Sequence, residues 1–364
     1  MPPLDFLRVL PITAIAAGAV VTLLACVSIV LTQKWHGKHT YDSVVGVQKF
    51  HSTPTPRVGG VAILCGLVVA WCLTPKTLSP ILGCLLFAGL PALGFGLAED
   101  LTKRVGVRER LLATMASGIL AWWLTDISLT RLDIWGIDAV LAYLPVSVVF
   151  TAFAVAGVAN AVNIVDGFNG LASGTVLICL TALGLIAYQV GDYNLTALIC
   201  LIAGITAGFL VVNFPFGKIF LGDGGAYYLG FLLAWLAVML PMRNPSISAW
   251  SSLLACGYPI IEVLFSMLRR FLTSNSPGEP DRLHLHSLIK ARAITKWFPQ
   301  LPLVIRNAAV SPILWLYACI PASAAVLFRS DTAALMGAFV FSVLIYVMGY
   351  FPLAQFRWKR TTSS

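Results

Sequence analysis

The sequence predicts an all-α, polytopic integral membrane protein, and three observations carry that reading. Of 364 residues, 59% are hydrophobic and 11% charged, and the mean hydropathy of +0.88 exceeds what a water-facing surface carries. Apolar stretches of about 20 residues, enough to cross a bilayer core as a helix, recur from Pro11 to Pro352 between short polar breaks. Alternation with a period of two, which a membrane barrel needs, is absent, and lipid offers backbone groups no partner, so helices are the expected state.

About eleven spans are expected, over residues 9–31, 58–74, 80–98, 110–125, 140–158, 171–190, 195–212, 225–241, 249–268, 309–328 and 333–353. The first follows a short head with a single Arg8, as a signal peptide does. Its length and the lack of a small-x-small cleavage site favour a retained helix. Residues 1–364 read as one transmembrane domain. With the N-terminus outside, nineteen of the 24 Lys and Arg residues fall on inner loops or the tail, seven of them between Arg269 and Arg306. Arg8, Lys76, Arg131, Arg243 and Arg329 stay outside, so the positive-inside rule places the C-terminus in the cytoplasm. The net charge of +9 borders helices rather than forming an arm, which suits membrane anchoring and anionic substrates and not nucleic acid. All eight cysteines lie in expected spans without a CxxC, as small apolar packing residues.

On this orientation all five histidines are cytoplasmic, and five inner segments carry polar patterns. Residues 51–60 combine stiffening prolines with Arg57 and the Gly59–Gly60 pair, which suits close backbone approach or a plain loop-helix junction. Glu99 and Asp100 are adjacent carboxylates that need a cation, either Lys103 and Arg104 or a bound Mg2+. Asn160, Asn163, Asp166 and Asn169 recur at intervals of three between two apolar spans, with Gly167 and Gly170 supplying turns. Such a comb at a membrane edge costs desolvation unless it binds a cation or a nucleotide. Asp223 stands among glycines at the start of a span, placed for a phosphate and its metal at a helix N-terminus, or as a simple N-cap. Arg282, His284 and His286 suit a pyrophosphate better than zinc, since no acidic or Cys partner stands at ligand spacing. Glu262 lies inside a span, either as a functional acid or as a partner of Arg269 or Arg270.

In this order, over about residues 40–290, these segments resemble the polyprenyl-phosphate N-acetylhexosamine-1-phosphate transferases, glycosyltransferase family 4, whose superfamily includes the phospho-N-acetylmuramoyl-pentapeptide transferases. The family's Asn-x-x-Asn-x-x-Asp-Gly-x-Asp-Gly loop is matched from Asn160 to Gly170, and its Phe-x-Gly-Asp-x-Gly element by Phe220, Gly222, Asp223 and Gly225. The resemblance implies that Asp223, helped by Asp166, holds Mg2+ (Mn2+ being the alternative ion). It also implies that Asn213, Phe220 and the 167–169 turn frame a uracil, and that His284 and His286 lie near a diphosphate. The chain departs from the family at Glu99, Asn169, Phe216–Gly217 and Ser287; Asn169 and Ser287 remove an acid and a cationic donor.

The implied activity is transfer of a sugar 1-phosphate from a UDP-N-acetylhexosamine to undecaprenyl phosphate at the cytoplasmic face of a bacterial inner membrane, the first step of an envelope glycan such as an O-antigen or capsule. Glu99 or Asp100 would take any proton from the lipid phosphate, and a covalent route through Asp166 or Asp100 is the alternative. Arg57, Lys103, Arg104, Arg282, His284 and His286 would offset phosphate repulsion. The loop 269–306 is expected to read sugar and diphosphate, and a homodimer is common in such enzymes. A secondary transporter would gather polar groups at the midplane of repeated halves, whereas here they gather at one face. An impaired relative that scaffolds glycan assembly is the second rival, suggested by Asn169 and Ser287.

Overall fold

The computed structural model describes residues 10–41, 54–272 and 283–358. Among them all regular structure is helical, apart from one isolated bridge between Tyr41 and Pro56. The long helices are α1 (Ile12–Thr40), α2 (Gly59–Leu73), α3 (Ser79–Ala88), α4 (Leu90–Thr102) and α5 (Val107–Thr125). A short α6 (Ile137–Leu141) leads to α7 (Leu144–Val165), α8 (Leu171–Gln189), α9 (Tyr193–Asn213) and α10 (Gly222–Arg243). Then follow α11 (Ala249–Ala255), α12 (Gly257–Leu272), α13 (Leu285–Leu288), a π-helical stretch (Ile289–Ile294), α14 (Thr295–Trp297), α15 (Leu303–Ala308), α16 (Val310–Leu327) and α17 (Thr332–Trp358).

Helix α10 is the axis of the bundle. It is buried along almost its whole length and packs against α2, α4, α7 and α8, the position that an all-round apolar helix requires. Around it α1 lies on α2 and α9, α5 on α7, and α16 on α8. Where α4 meets the start of α10, a Cβ on Gly96 would stand 2.6 Å from Gly224 Cα, so only glycine permits this approach. The outer faces are apolar: Leu24 and Leu31 on α1, and Phe341 and Met348 on α17, are exposed, as lipid contact requires.

Seven to nine spans, against the eleven expected, are supported by helix length and composition. Each expected stretch overlaps a helix, but seven helices among the described residues are long and apolar enough to cross a membrane, or nine if two bent pairs each count as one span. Helix α2, with 15 residues, reaches only about 22 Å of a core about 30 Å thick. Helix α5 begins with Arg108, Glu109 and Arg110. The bent pairs are α3–α4, turned by 41° at Gly89 just before Pro91, and α11–α12, turned by 81° at Cys256 just before Pro259. A proline ring excludes the carbonyl four residues back and has no N–H to donate, so both helices break there.

Candidate active site

The polar comb forms where α7 stops. Asp166 leaves helical geometry (φ −73°, ψ 54°), its N–H still donating to Val162 O and Asn163 O. Gly170, at φ +77°, starts α8 and donates its N–H to Asn213 Oδ1 at 2.6 Å. Asn213 Nδ2 donates to Ile219 O at 2.7 Å, and Asn169 Nδ2 to Pro215 O at 2.8 Å, so the 166–170 and 213–221 loops are held as one frame. Ser311 of α16 donates to Asn169 O at 2.6 Å. Tyr227 on α10 donates to Asn160 Oδ1 at 3.1 Å.

The second loop pair is joined by main chain. Phe220 N donates to Pro56 O, Gly59 N to Phe220 O and Gly60 N to Leu221 O, which carries Arg57 to the N-terminus of α10. Asp100, 1% exposed, accepts from the N–H groups of Asp223 and Gly224 at 3.0 and 2.9 Å, with Arg57 Nε at 3.6 Å. Both its oxygens therefore orient the first turn of α10. Asp223 is held on its two oxygens by two guanidiniums: Arg57 Nη2 reaches Oδ1 at 3.1 Å, and Arg110 Nη1 pairs with Oδ2. The Arg110 guanidinium also stands 5.7 Å over the Tyr227 ring. Glu99, half-buried, accepts from Val105 N at 2.8 Å and closes the turn after α4.

The third element is the histidine segment. Glu262, fully buried on α12, lies 3.1 Å from His284 Nδ1 and accepts Leu285 N at 3.2 Å, while Ser266 Oγ stands 3.1 Å from the same Nδ1. An ionised carboxylate only accepts, so Nδ1 carries the proton and Nε2 is the atom turned elsewhere. The neighbour of Glu262 across the fold is thus His284, which the sequence reading, weighing Arg269 or Arg270, did not foresee. His286 stacks on His284 with ring centroids 5.2 Å apart and meets the edge of Phe168 at 5.5 Å. The Lys290 ammonium lies 5.6 Å over that same Phe168 ring. Arg282 lies outside the described residues.

Arg57, Asp100 and Asp223 meet at the head of α10, Asn169 and Asn213 join the two loops beside them, Asn160 meets Tyr227 of α10, and His286, with His284 stacked on it, meets the turn at Phe168. Arg110, Tyr227, Ser311 and Lys290 join them and were missed as site residues. For Arg110 and Ser311 a cation or hydroxyl in the first turn of a helix was the available signal; nothing local marks Tyr227 or Lys290. Among the described residues no three His, Cys, Asp or Glu side chains converge to cage a metal. Two carboxylates with substrate phosphate and water oxygens are nevertheless a donor set that Mg2+ accepts. Asp223 carries hard oxygens of that kind, and the two arginines on it show how much positive charge this carboxylate attracts.

Residues 82–241 match glycosyl transferase family 4. A Yersinia pestis protein, undecaprenyl-phosphate alpha-N-acetylglucosaminyl 1-phosphate transferase, is 31% identical over 258 residues, 68% of this chain and 69% of its own. The chain belongs to glycosyl transferase family 4. Within that family it is also similar to the decaprenyl-phosphate N-acetylglucosaminephosphotransferase of Mycobacterium tuberculosis, 29% identical over 270 residues, covering 65% of each chain. A phospho-N-acetylmuramoyl-pentapeptide-transferase of Streptococcus pneumoniae is 30% identical over 243 residues, 62% of this chain and 73% of its own. The family match covers α3 to most of α10, and so includes the comb, Asp100, Arg110 and Asp223. The chain spans slightly under two thirds of the length of the mycobacterial relative.

Proposed function

We propose that this family 4 protein transfers an N-acetylhexosamine 1-phosphate from a UDP-sugar to undecaprenyl phosphate, releasing UMP, at the cytoplasmic face of a bacterial inner membrane, as the start of an envelope glycan. The observation that carries this reading is the meeting of Arg57 and Arg110, from two separate elements, on Asp223 at the N-terminus of a membrane-buried helix. A helix N-terminus with two guanidiniums is a place for phosphate oxygens, and the surrounding apolar bundle accounts for a polyprenyl acceptor.

In the proposed reaction an oxygen of the lipid phosphate attacks the β-phosphorus of the donor in line. The bond from that phosphorus to the bridging oxygen breaks, and UMP leaves with the electron pair. Arg57 and Arg110 release Asp223 and turn to the incoming phosphates, offsetting their mutual repulsion. Glu99 accepts any proton on the lipid phosphate. Asp100 holds the N–H groups of Asp223 and Gly224 on target, which leaves it poorly placed as a nucleophile and favours direct displacement over a phospho-Asp100 route. The rigid frame of Asn169, Asn213 and Phe220 receives the uracil, and His284 and His286 the diphosphate. Asp223 and Asp166 would hold Mg2+, or Mn2+, which when bound supplies charge neutralisation between the two phosphates.

The test is UMP release by purified protein from a panel of UDP-N-acetylhexosamines with polyprenyl phosphate and Mg2+. Turnover that depends on both substrates, and is lost in Asp223→Asn and Arg110→Ala, supports the proposal. An absence of UMP release with every donor returns the protein to a scaffold or transporter role, and a sugar-phosphate trapped on protein without lipid overturns direct displacement.

A further inference from the structure

Lys290 is 5% exposed and lies on the π-helical stretch that follows the histidine segment, a backbone form frequent at functional sites. Its ammonium is 5.6 Å from the centre of the Phe168 ring, and the edge of the same ring meets His286 at 5.5 Å. Phe168 lies between Asp166 and Asn169, so the three side chains connect the comb to the histidines. Phe168 packs in a second apolar cluster with Leu285, Leu288 and Ile289, beneath the frame.

A buried ammonium is costly here. Arg306 of α15 adds repulsion to the desolvation, and the two together bring the lysine down to about 7. An ammonium facing an aromatic ring at cation–π distance, with the same ring against His286, points to a role for the charge itself. Lys290 also stands one turn from Ser287, where this chain lacks a cationic donor.

We propose that Lys290 is a positioning residue, whose ammonium holds Phe168 and with it the 166–170 turn in register with His286. This rests on the transferase reading for its catalytic consequence but not for its structural one. The test compares wild type with Lys290→Met, Lys290→Arg and Phe168→Leu by hydrogen exchange of the 166–171 segment and by steady-state turnover. Exchange in Lys290→Met is expected to speed up severalfold, with kcat falling about tenfold and donor KM moving less than threefold, as slight misplacement of reacting groups does. Lys290→Arg should restore most of both, and Phe168→Leu should reproduce the loss with no further effect of Lys290→Met on top of it. Unchanged exchange in Lys290→Met, or an arginine variant no better than methionine, overturns the proposal. Should Lys290→Met not fold, additive exchange effects of Lys290→Arg and Phe168→Leu would overturn it and non-additive ones support it. If wild type turns over no donor, the transferase reading fails while the exchange data still decide on Lys290.

Discussion

Asp100 shows what one carboxylate does in this fold. It accepts two main-chain N–H groups at the head of α10 and is almost wholly buried, so Asp100→Asn replaces one acceptor by a donor aimed at another donor. A buried donor left unmet costs about 1–3 kcal/mol, and the Asp223 carboxylate loses its alignment. The expected outcome is a lowered thermal midpoint together with a turnover loss of about 100-fold, whereas Glu99→Gln should reduce turnover with little change in midpoint. Equal midpoints for the two variants in detergent would contradict this division of labour. Lys290 makes a pH-dependent prediction. Burial first, then Arg306, hold its ammonium near 7 against an ordinary 10.5. Between those values the unfolded chain binds a proton that the folded one does not, so wild-type stability rises with pH across that window and is flat below it. The thermal midpoint of wild type relative to Lys290→Met should therefore be lowest at pH 6–7 and rise toward pH 10.

Helices and loops were legible in the sequence to different degrees. Apolar runs located the helices, and the Asn160–Asn169 comb and the Gly-flanked Asp223 were visible because polar residues at a membrane edge stand out against hydrophobic neighbours. Three things were not visible. The breaks at Gly89 and Cys256 lie within continuous apolar runs, where a proline two or three residues on is the only sign. The pairing of Arg110 with Asp223 spans 113 positions, and that of Glu262 with His284 spans 22 across a change of element; spacing along the chain carries no trace of either. Arg110, read from the sequence as an inner-loop charge at the edge of the 110–125 span, belongs to the site. At this scale Gly96 and Gly222 are decisive. Gly96→Leu would drive side-chain atoms into Gly224, 2.6 Å from even a Cβ, and separate α4 from α10. Gly222, at φ +74°, would place a Cβ 2.6 Å from Asp100 Oδ2 and against Arg57 O, so Gly222→Ala combines a strained backbone, about 1–3 kcal/mol, with displacement of both partners. Gly96→Leu should reduce the yield of folded protein, and Gly222→Ala should leave folded protein with a lower midpoint and little turnover, as size-exclusion profiles and UMP release would show.

Across the whole molecule the segments 54–60, 99–110, 160–170, 213–227 and 283–290 are linked by contacts at one end of the bundle. The Arg131–Asp133 pair and the contacts of Arg131 with Pro241 and Ile247 stand at the opposite ends of the helices that join them. A UDP-sugar is made and kept in the cytoplasm, so the reading requires the first end to face inward, and the distribution of Lys and Arg asks for the same. Lys218 and Trp135 are both exposed, one at each end, and neither takes part in the packing of the core. A cysteine in place of Trp135 should react with a membrane-impermeant maleimide in intact cells. One in place of Lys218 should react only in inverted vesicles, on a background with the exposed Cys65, Cys72 and Cys319 replaced by alanine. The reverse pattern would put Asp223 and its two arginines on the side that holds no nucleotide sugar, and a donor-dependent transferase could not then operate in that membrane.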